Sequence, residues 1–298
     1  MRRQLGSDAG LTARMFLTMF LLAAVYLFFL AVLWQAGVSY TGIILFVGIM
    51  LAVQYYFSDR MVLWSMGARE VSPAEAPELH ALVERLAALA DLPKPRVAIV
   101  PTSMPNAFAT GRSPKHAVVA VTTGIMQRLT TAELEAVLGH ELSHIKNRDM
   151  TVLTLASFFA TVASFIMQHF FYWGGAFGGR DREGRNNAMV VYLASLVVWV
   201  ISFFLIRALS RYREFAADRG AAILTGSPGQ LASALVKISG SMARIPDRDL
   251  RQAEAFNAFF IIPALSGNSL MELLSTHPSL ERRLAYLRKL EREMEDWR

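Results

Sequence analysis

His140, Glu141 and His144 stand in the run LGHELSHIKNRD at residues 138–149, two imidazoles four positions apart with a carboxylate beside the first. On a helix, positions four apart lie one turn above each other on the same face, so both rings can offer a nitrogen to a single ion. Glu141 is turned away by about 100°, near enough to reach a water on that ion without binding it. This is the H-E-x-x-H arrangement, which suits Zn2+ with the glutamate as general base. Two histidines on a helix are also what an ordinary solvated surface carries, so a third ligand has to decide between the readings. The chain has no cysteine. That excludes disulfides, thiolate nucleophiles and cysteine-based metal sites, and any metal is expected to be held by His, Asp or Glu.

A catalytic zinc site takes three protein ligands and leaves one position open. The candidate source of the third is SRYREFAADRG, residues 210–220, in which Glu214 and Asp218 share a helical face. Glu214 is the expected ligand. Asp218 is the candidate to accept the free N–H of a ligand imidazole, which fixes its tautomer and raises its basicity. The competing reading of the same face is a set of salt bridges with Arg211, Arg213 and Arg219.

These residues must be positioned by the elements around them, and most of those are apolar. The 298 residues are 54% hydrophobic and only 18% charged, with a mean hydropathy of +0.35, which points to lipid rather than to an ordinary soluble domain. The stretches 15–36 and 38–57 are long enough to cross a bilayer, and a short connection at Gly37 makes them a tight hairpin. The first is too long and too apolar for a cleaved signal peptide. Arg2, Arg3 and Arg14 precede the hairpin and Arg60 follows it, so both ends are expected in the cytoplasm. A second pair, 150–177 and 188–206, is separated by the polar loop GGRDREGRNN; it either spans or dips in and returns. In both cases the chain comes back to the side it left, which brings Glu214 to the side and depth of the His pair. Net charge is +6. It reads as Arg and Lys flanking membrane spans; nucleic acid is not expected, since no basic run with interleaved aromatics occurs.

The expected units are a transmembrane hairpin at 1–60, a cytoplasmic part at 61–149, a second transmembrane hairpin at 150–206 and a helical C-terminal part at 207–298. Within 61–149, a helix is expected from Ser72 or Pro73 to the residues before Pro93. RVAIVPTSMPNAFATG and KHAVVAVTTGIMQRL each hold short β-branched runs bounded by Gly and Pro, read as strands. Thr130 and Glu133 form a capping-box pattern in front of the His-bearing helix. Gly139 inside that helix implies a close neighbour.

GHELSHIKNRDM, then two apolar segments, then SRYREFAAD resembles the HtpX-type integral membrane zinc metalloproteases, relatives of the CaaX prenyl endopeptidases. NAFATG at 106–111, STHPSLERR at 275–283 and the N-terminal hairpin extend the likeness over most of the chain. The resemblance implies one zinc ion per chain held by His140, His144 and Glu214, with Glu141 and His277 catalytic. In such enzymes His277, with Arg283, approaches the site and helps the developing oxyanion; the plainer reading is a helix start with Pro278 at its first position. It also implies that NAFATG and HAVVAVTTG pair with a substrate backbone, as an exposed sheet edge can.

The expected fold class is a mainly α membrane protein with a small β-sheet, its zincin-like cytoplasmic catalytic domain carried on about four transmembrane helices. The expected function is a membrane-anchored, zinc-dependent endopeptidase cleaving misfolded or damaged membrane proteins at the cytoplasmic face of the cell membrane, as part of a stress response. Its partners are polypeptide substrates and the lipid bilayer; oligomeric state is left open. The alternative is a non-catalytic four-span scaffold or small transporter with an incidental or structural metal. A transport path wants an ionisable group within the spans, and the apolar stretches supply only His169. Cleavage of prenylated C-termini shares the chemistry but wants an enclosed membrane chamber, for which four stretches are too few.

Overall fold

A computed structural model of the chain describes residues 8–37, 40–177, 182–242, 261 and 274–296. Two long helices, α1 (Ala9–Gln35) and α2 (Tyr40–Ser65), form the N-terminal pair, with the Asp8 side chain capping α1 at the Leu11 amide. The expected stretch 38–57 lies in α2 from Tyr40 onward, while Val38 and Ser39 fall outside the described residues. A mixed sheet follows, with β1 (Arg69–Glu70), helix α3 (Pro77–Ala90), β2 (Arg96–Val100), β3 (Ala107–Thr110) and β4 (Val118–Thr122). Its order is β1-β2-β4-β3, with β2 and β4 parallel and the outer strands antiparallel. Two short helices' worth of chain, α4 (Thr123–Arg128) and then the longer α5 (Thr131–Lys146), lead into α6 (Asp149–Phe177), α7 (Arg182–Thr225), α8 (Pro228–Met242) and α9 (Leu280–Glu295).

Local chemistry accounts for most boundaries. The Thr130 hydroxyl accepts from the Glu133 amide while the Glu133 carboxylate accepts from the Thr130 amide, and α5 starts there. α3 begins at Pro77, not at Ser72 or Pro73. A proline is best accommodated at the first helical position and keeps the residue before it out of the helix, so Ser72 closes a turn onto Glu75 instead. The polar loop read at 178–187 is shorter than expected, since α7 already starts at Arg182, and residues 178–181 lie outside the described part. At its other end α7 runs without a break through 206/207, so the fourth apolar stretch and the Glu214 region are one helix. Nothing in the local sequence interrupts it, as Arg, Leu, Glu and Ala all favour helix. Residues 243–260 and 262–273 of the expected helical C-terminal part are outside the described residues. Residues 275–279 are not helical, as Pro278 disfavours helical backbone at His277.

Two cores form. One packs α3, α5, α8 and α9 on a face of the sheet, through Val83, Leu86, Val119, Leu138, Leu142, Leu235 and Leu287. The other joins α1, α6 and α7 through Leu22, Phe29, Phe158, Val162 and Val198. Residues 9–35, 149–168 and 186–225 form helices long and apolar enough to cross a membrane. Their outward faces carry large exposed apolar side chains such as Phe16, Phe20, Leu27, Leu155 and Phe204, which is the surface lipid covers.

Candidate metal centre

α5 carries the two imidazoles and α7 crosses it closely. A Cβ on Gly139 would meet Thr225 Cγ2 at 3.2 Å, and one on Gly220 would meet Ser143 Oγ at 2.3 Å, so the helices touch through small residues on both sides. The crossing places Glu214 above the imidazole face. His140 Nε2 and His144 Nε2 are 3.1 Å apart, with their rings nearly perpendicular at 89°. Glu214 Oε2 lies 3.6 Å from the first nitrogen and Oε1 lies 3.5 Å from the second. One atom from each of the three side chains falls within 4.8 Å of the others.

Behind each imidazole stands a carboxylate, and behind each carboxylate an arginine. His140 Nδ1 is 2.9 Å from Asp218 Oδ1, and Arg283 donates to both Asp218 oxygens at 3.0 and 2.6 Å. His144 Nδ1 is 2.6 Å from Asp149 Oδ2, and Asp149 Oδ1 accepts from Arg213, which also donates to the Asn147 carbonyl at 2.7 Å. With Nδ1–H committed to a carboxylate, each ring turns the lone pair of Nε2 toward Glu214. Acceptors then converge on one point, which is stable only with positive charge between them. The same electrostatics act on the rings themselves. Burial pushes the His140 ring down, yet Asp218 and Glu214 outweigh it and hold the ring up at about 9. Asp149 likewise outweighs burial at His144 and raises it. The donor set of two imidazole nitrogens and a carboxylate therefore fits a divalent metal.

Glu141 lies beside this point, buried. Burial raises its carboxyl above the usual range against the pull of both imidazoles, and the Ala109 backbone amide donates to it. Ala109 belongs to β3, an edge strand among the described residues. Asn106 and Thr122 are bonded across β3 and β4, the Thr122 amide to the Asn106 carbonyl and the Asn106 amide to the Thr122 hydroxyl. Antiparallel alternation then turns the peptide groups of Ala107 and Ala109 away from β4, toward the cavity. That cavity is lined by Ala107, Ala109, His140, Glu141, Glu214 and His277, among others.

His277 is buried, with Nδ1 3.2 Å from Glu214 Oε2. Arg207 and Arg211 donate to the carbonyls of Leu274 and Ser275 and so tie its segment to α7. Pro278 is not the first residue of α9, because Ser279 takes the N-cap position. Arg283 sits behind the imidazoles, within 3.3 Å of Glu214 Oε2 and 2.7 Å of the Ile261 carbonyl. The salt-bridge face read for Glu214 and Asp218 is differently wired: Arg213 takes Asp149 and Arg283 takes Asp218. The sequence reading missed Asp149 and Arg213 as parts of the site. The available signal was an acidic residue at the start of an apolar helix, five positions beyond His144. Arg148 adopts the left-handed conformation (φ 54°), and that turn directs Asp149 back at the ring.

Comparison with known proteins bears on this arrangement. The model of peptidase family M48 matches residues 73–291. A protein named protease HtpX homolog from Moorella thermoacetica is 88% identical over 299 residues, covering 100% of both chains. A protease HtpX homolog 2 from Methanosarcina mazei is 62% identical over 294 residues, covering 99% of this chain and 100% of its own. Among solved structures, Ste24p of S. mikatae superposes with a TM-score of 0.56 at 17% identity, over 94% of this chain and 67% of that one. At that identity the likeness concerns the fold.

Proposed function

The chain belongs to peptidase family M48, and from that premise we propose that it is a zinc-dependent endopeptidase acting at the cytoplasmic face of a membrane on misfolded or damaged membrane proteins. As a membrane metalloprotease of this family it is not the non-catalytic scaffold or transporter that composition left open. The observation that carries the proposal is the convergence of His140 Nε2, His144 Nε2 and Glu214 on one point, with both Nδ1 atoms held by carboxylates. His140, His144 and Glu214 are the ligands in this reading. Two nitrogens and a carboxylate oxygen favour zinc over the hard cations, which prefer all-oxygen sites.

Zinc bound there supplies Lewis acidity to polarise the scissile carbonyl and acidify a water. The rest is done by this chain's own side chains and backbone. The outward peptide groups of Ala107 and the outward carbonyl of Ala109 hold the substrate backbone as an added strand. Glu141 accepts the proton of the attacking water and passes it to the departing amine. His277, which faces the cavity beside Glu214, donates to the oxyanion as charge develops. No covalent intermediate is needed.

Placement at the cytoplasmic face is supported by Arg2, Arg3, Arg14 and Arg60 flanking the N-terminal helices. A site at the base of α6 and α7 meets chains emerging from the bilayer sooner than soluble ones, which supports membrane-protein substrates. The test is Glu141→Gln in detergent-purified protein, against an unfolded membrane substrate. We expect about one zinc per chain in both proteins and a loss of cleavage rate of about 10²–10⁴-fold in the variant. Equal rates would overturn the mechanism, and zinc retained in full by Glu214→Ala would overturn the ligand set.

A further inference from the structure

The groove beside β3 does not end at the metal centre. Ala109, His144 and Met150 line both the central cavity and the next hollow along the strand. Gly111, Met150 and Thr151 in turn line that hollow and a third cavity of about 280 Å³. The three therefore adjoin one another, along β3 and past its end at Thr110 as far as Arg112. The third cavity is walled by Leu51 and Ala52 of α2 and by Thr154 and Leu155 of α6. A dry cavity of about 150 Å³ is enough to take up benzene, so this one has room for a leucine or phenylalanine side chain.

Its position suits an extended peptide. Arg112 is three residues beyond Ala109, whose amide marks the catalytic glutamate, a span of at most about 11 Å by chain length. Leu155 is six residues into α6 from Asp149, roughly 9 Å along the helix, so the cavity lies at the level where α6 enters the apolar zone. Arg112 forms the rim. Its guanidinium lies over the Tyr56 ring of α2, 5.5 Å from the centroid, and its carbonyl accepts from Thr151 Oγ1 of α6 at 3.4 Å. The Tyr56 ring thus holds the cation, and the Thr151 hydroxyl holds the backbone that carries it.

We infer that this cavity is a substrate subsite, which takes an apolar side chain about two to four residues from the scissile bond while Arg112 rejects a cationic one. The inference rests on the peptidase reading of the metal centre. An apolar wall selects against a buried charge by the desolvation it imposes, and a fixed rim cation adds like-charge repulsion against Lys and Arg. A substrate drawn from a membrane span carries apolar residues at every such position, whereas a typical soluble loop does not.

The test uses the full-length protein in detergent with a single-span membrane protein whose cleavage point has been mapped. Each substrate position within about four residues of that point is replaced in turn by Leu, Gly and Lys. At one position, kcat/KM should favour Leu over Gly by at least ten-fold and place Lys below Gly. Ala52→Phe and Thr154→Phe fill the cavity from different helices and should bring that Leu:Gly ratio toward one. Arg112→Gln should raise the Lys:Gly ratio. Ratios that stay flat at every position in the wild type, or that survive both filling substitutions, overturn the subsite. Because the readout is a ratio within one preparation, a partly damaged variant still decides. Glu141→Gln separates the two levels: an active variant removes the peptidase reading itself, whereas an inactive one beside a flat series removes the subsite alone.

Discussion

Asp149 and Asp218 occupy equivalent places around the two imidazoles, though one begins α6 and the other lies within α7. Each accepts from a ring Nδ1 and is itself clamped by an arginine, Arg213 or Arg283. A carboxylate in that position raises the basicity of the opposite nitrogen and keeps the ring from turning. Asp149→Asn and Asp218→Asn preserve shape and remove the charge, so each should weaken metal binding by about 10–100-fold, read by competition with a chelator. The paired arginines sharpen this expectation. With the carboxylate neutralised, Arg213 or Arg283 is left buried without its counter-charge, an arrangement proteins tolerate poorly. An unchanged affinity in both variants would show that the rings are oriented by packing alone.

At the scale of elements, the α5–α7 crossing decides whether the site exists. Gly139 and Gly220 let the helix backbones approach, and at Gly220 a Cβ would fall 2.3 Å from Ser143 Oγ and 2.7 Å from Ser143 Cβ. Gly220→Ala should destabilise the protein by about 1–3 kcal/mol through overpacking and reduce metal content, measured by thermal unfolding and metal analysis. Ser143→Ala should not rescue it, because the Cβ remains, whereas Ser143→Gly should. A second join holds α5 to α8. The Glu133 carboxylate caps its own helix and accepts from Ser233 and Lys237. Burial raises its pKa, but Lys237, Ser233 and Thr130 together bring it down to about 2, against an ordinary value of 4.5. A folded-state pKa below the unfolded one contributes stability above the unfolded value and loses it as pH falls through the folded one. Glu133→Gln should therefore lower Tm at pH 7, and its gap from wild type should narrow between about pH 4.5 and pH 2.

The whole molecule joins a lipid-facing bundle to a polar site through one continuous helix. α7 contributes Val198 to the membrane-side core and Ala221 to the core under the sheet, with Glu214 between them. Metal held between α5 and α7 therefore links both cores, and whatever binds only the folded state raises its stability, by about 2.7 kcal/mol at a free concentration one hundred times Kd. Chelation should lower the Tm of the wild-type protein by about 5 °C or more and leave His144→Ala unchanged. An identical chelator response in the two would mean that the metal bound is not this one.

What the chain determines by itself is what depends on near neighbours. The i, i+4 spacing of His140 and His144, the Thr130–Glu133 cap and the apolar stretches follow from helix geometry, hydrogen bonding and hydropathy, and all were legible. The meeting of Glu214 with the His pair could be anticipated from an even number of crossings, because topology constrains sides even where it says nothing of distances. The tertiary structure alone decided which carboxylate stands behind which imidazole, that Arg213 pairs with Asp149 and Arg283 with Asp218, and that α7 passes unbroken beyond its apolar stretch. Those outcomes depend on the angle and closeness of α5 and α7, whose touching residues, such as Ser143 and Gly220, lie more than seventy positions apart in sequence. Gly139 hints at such a contact, but a missing side chain does not name its partner.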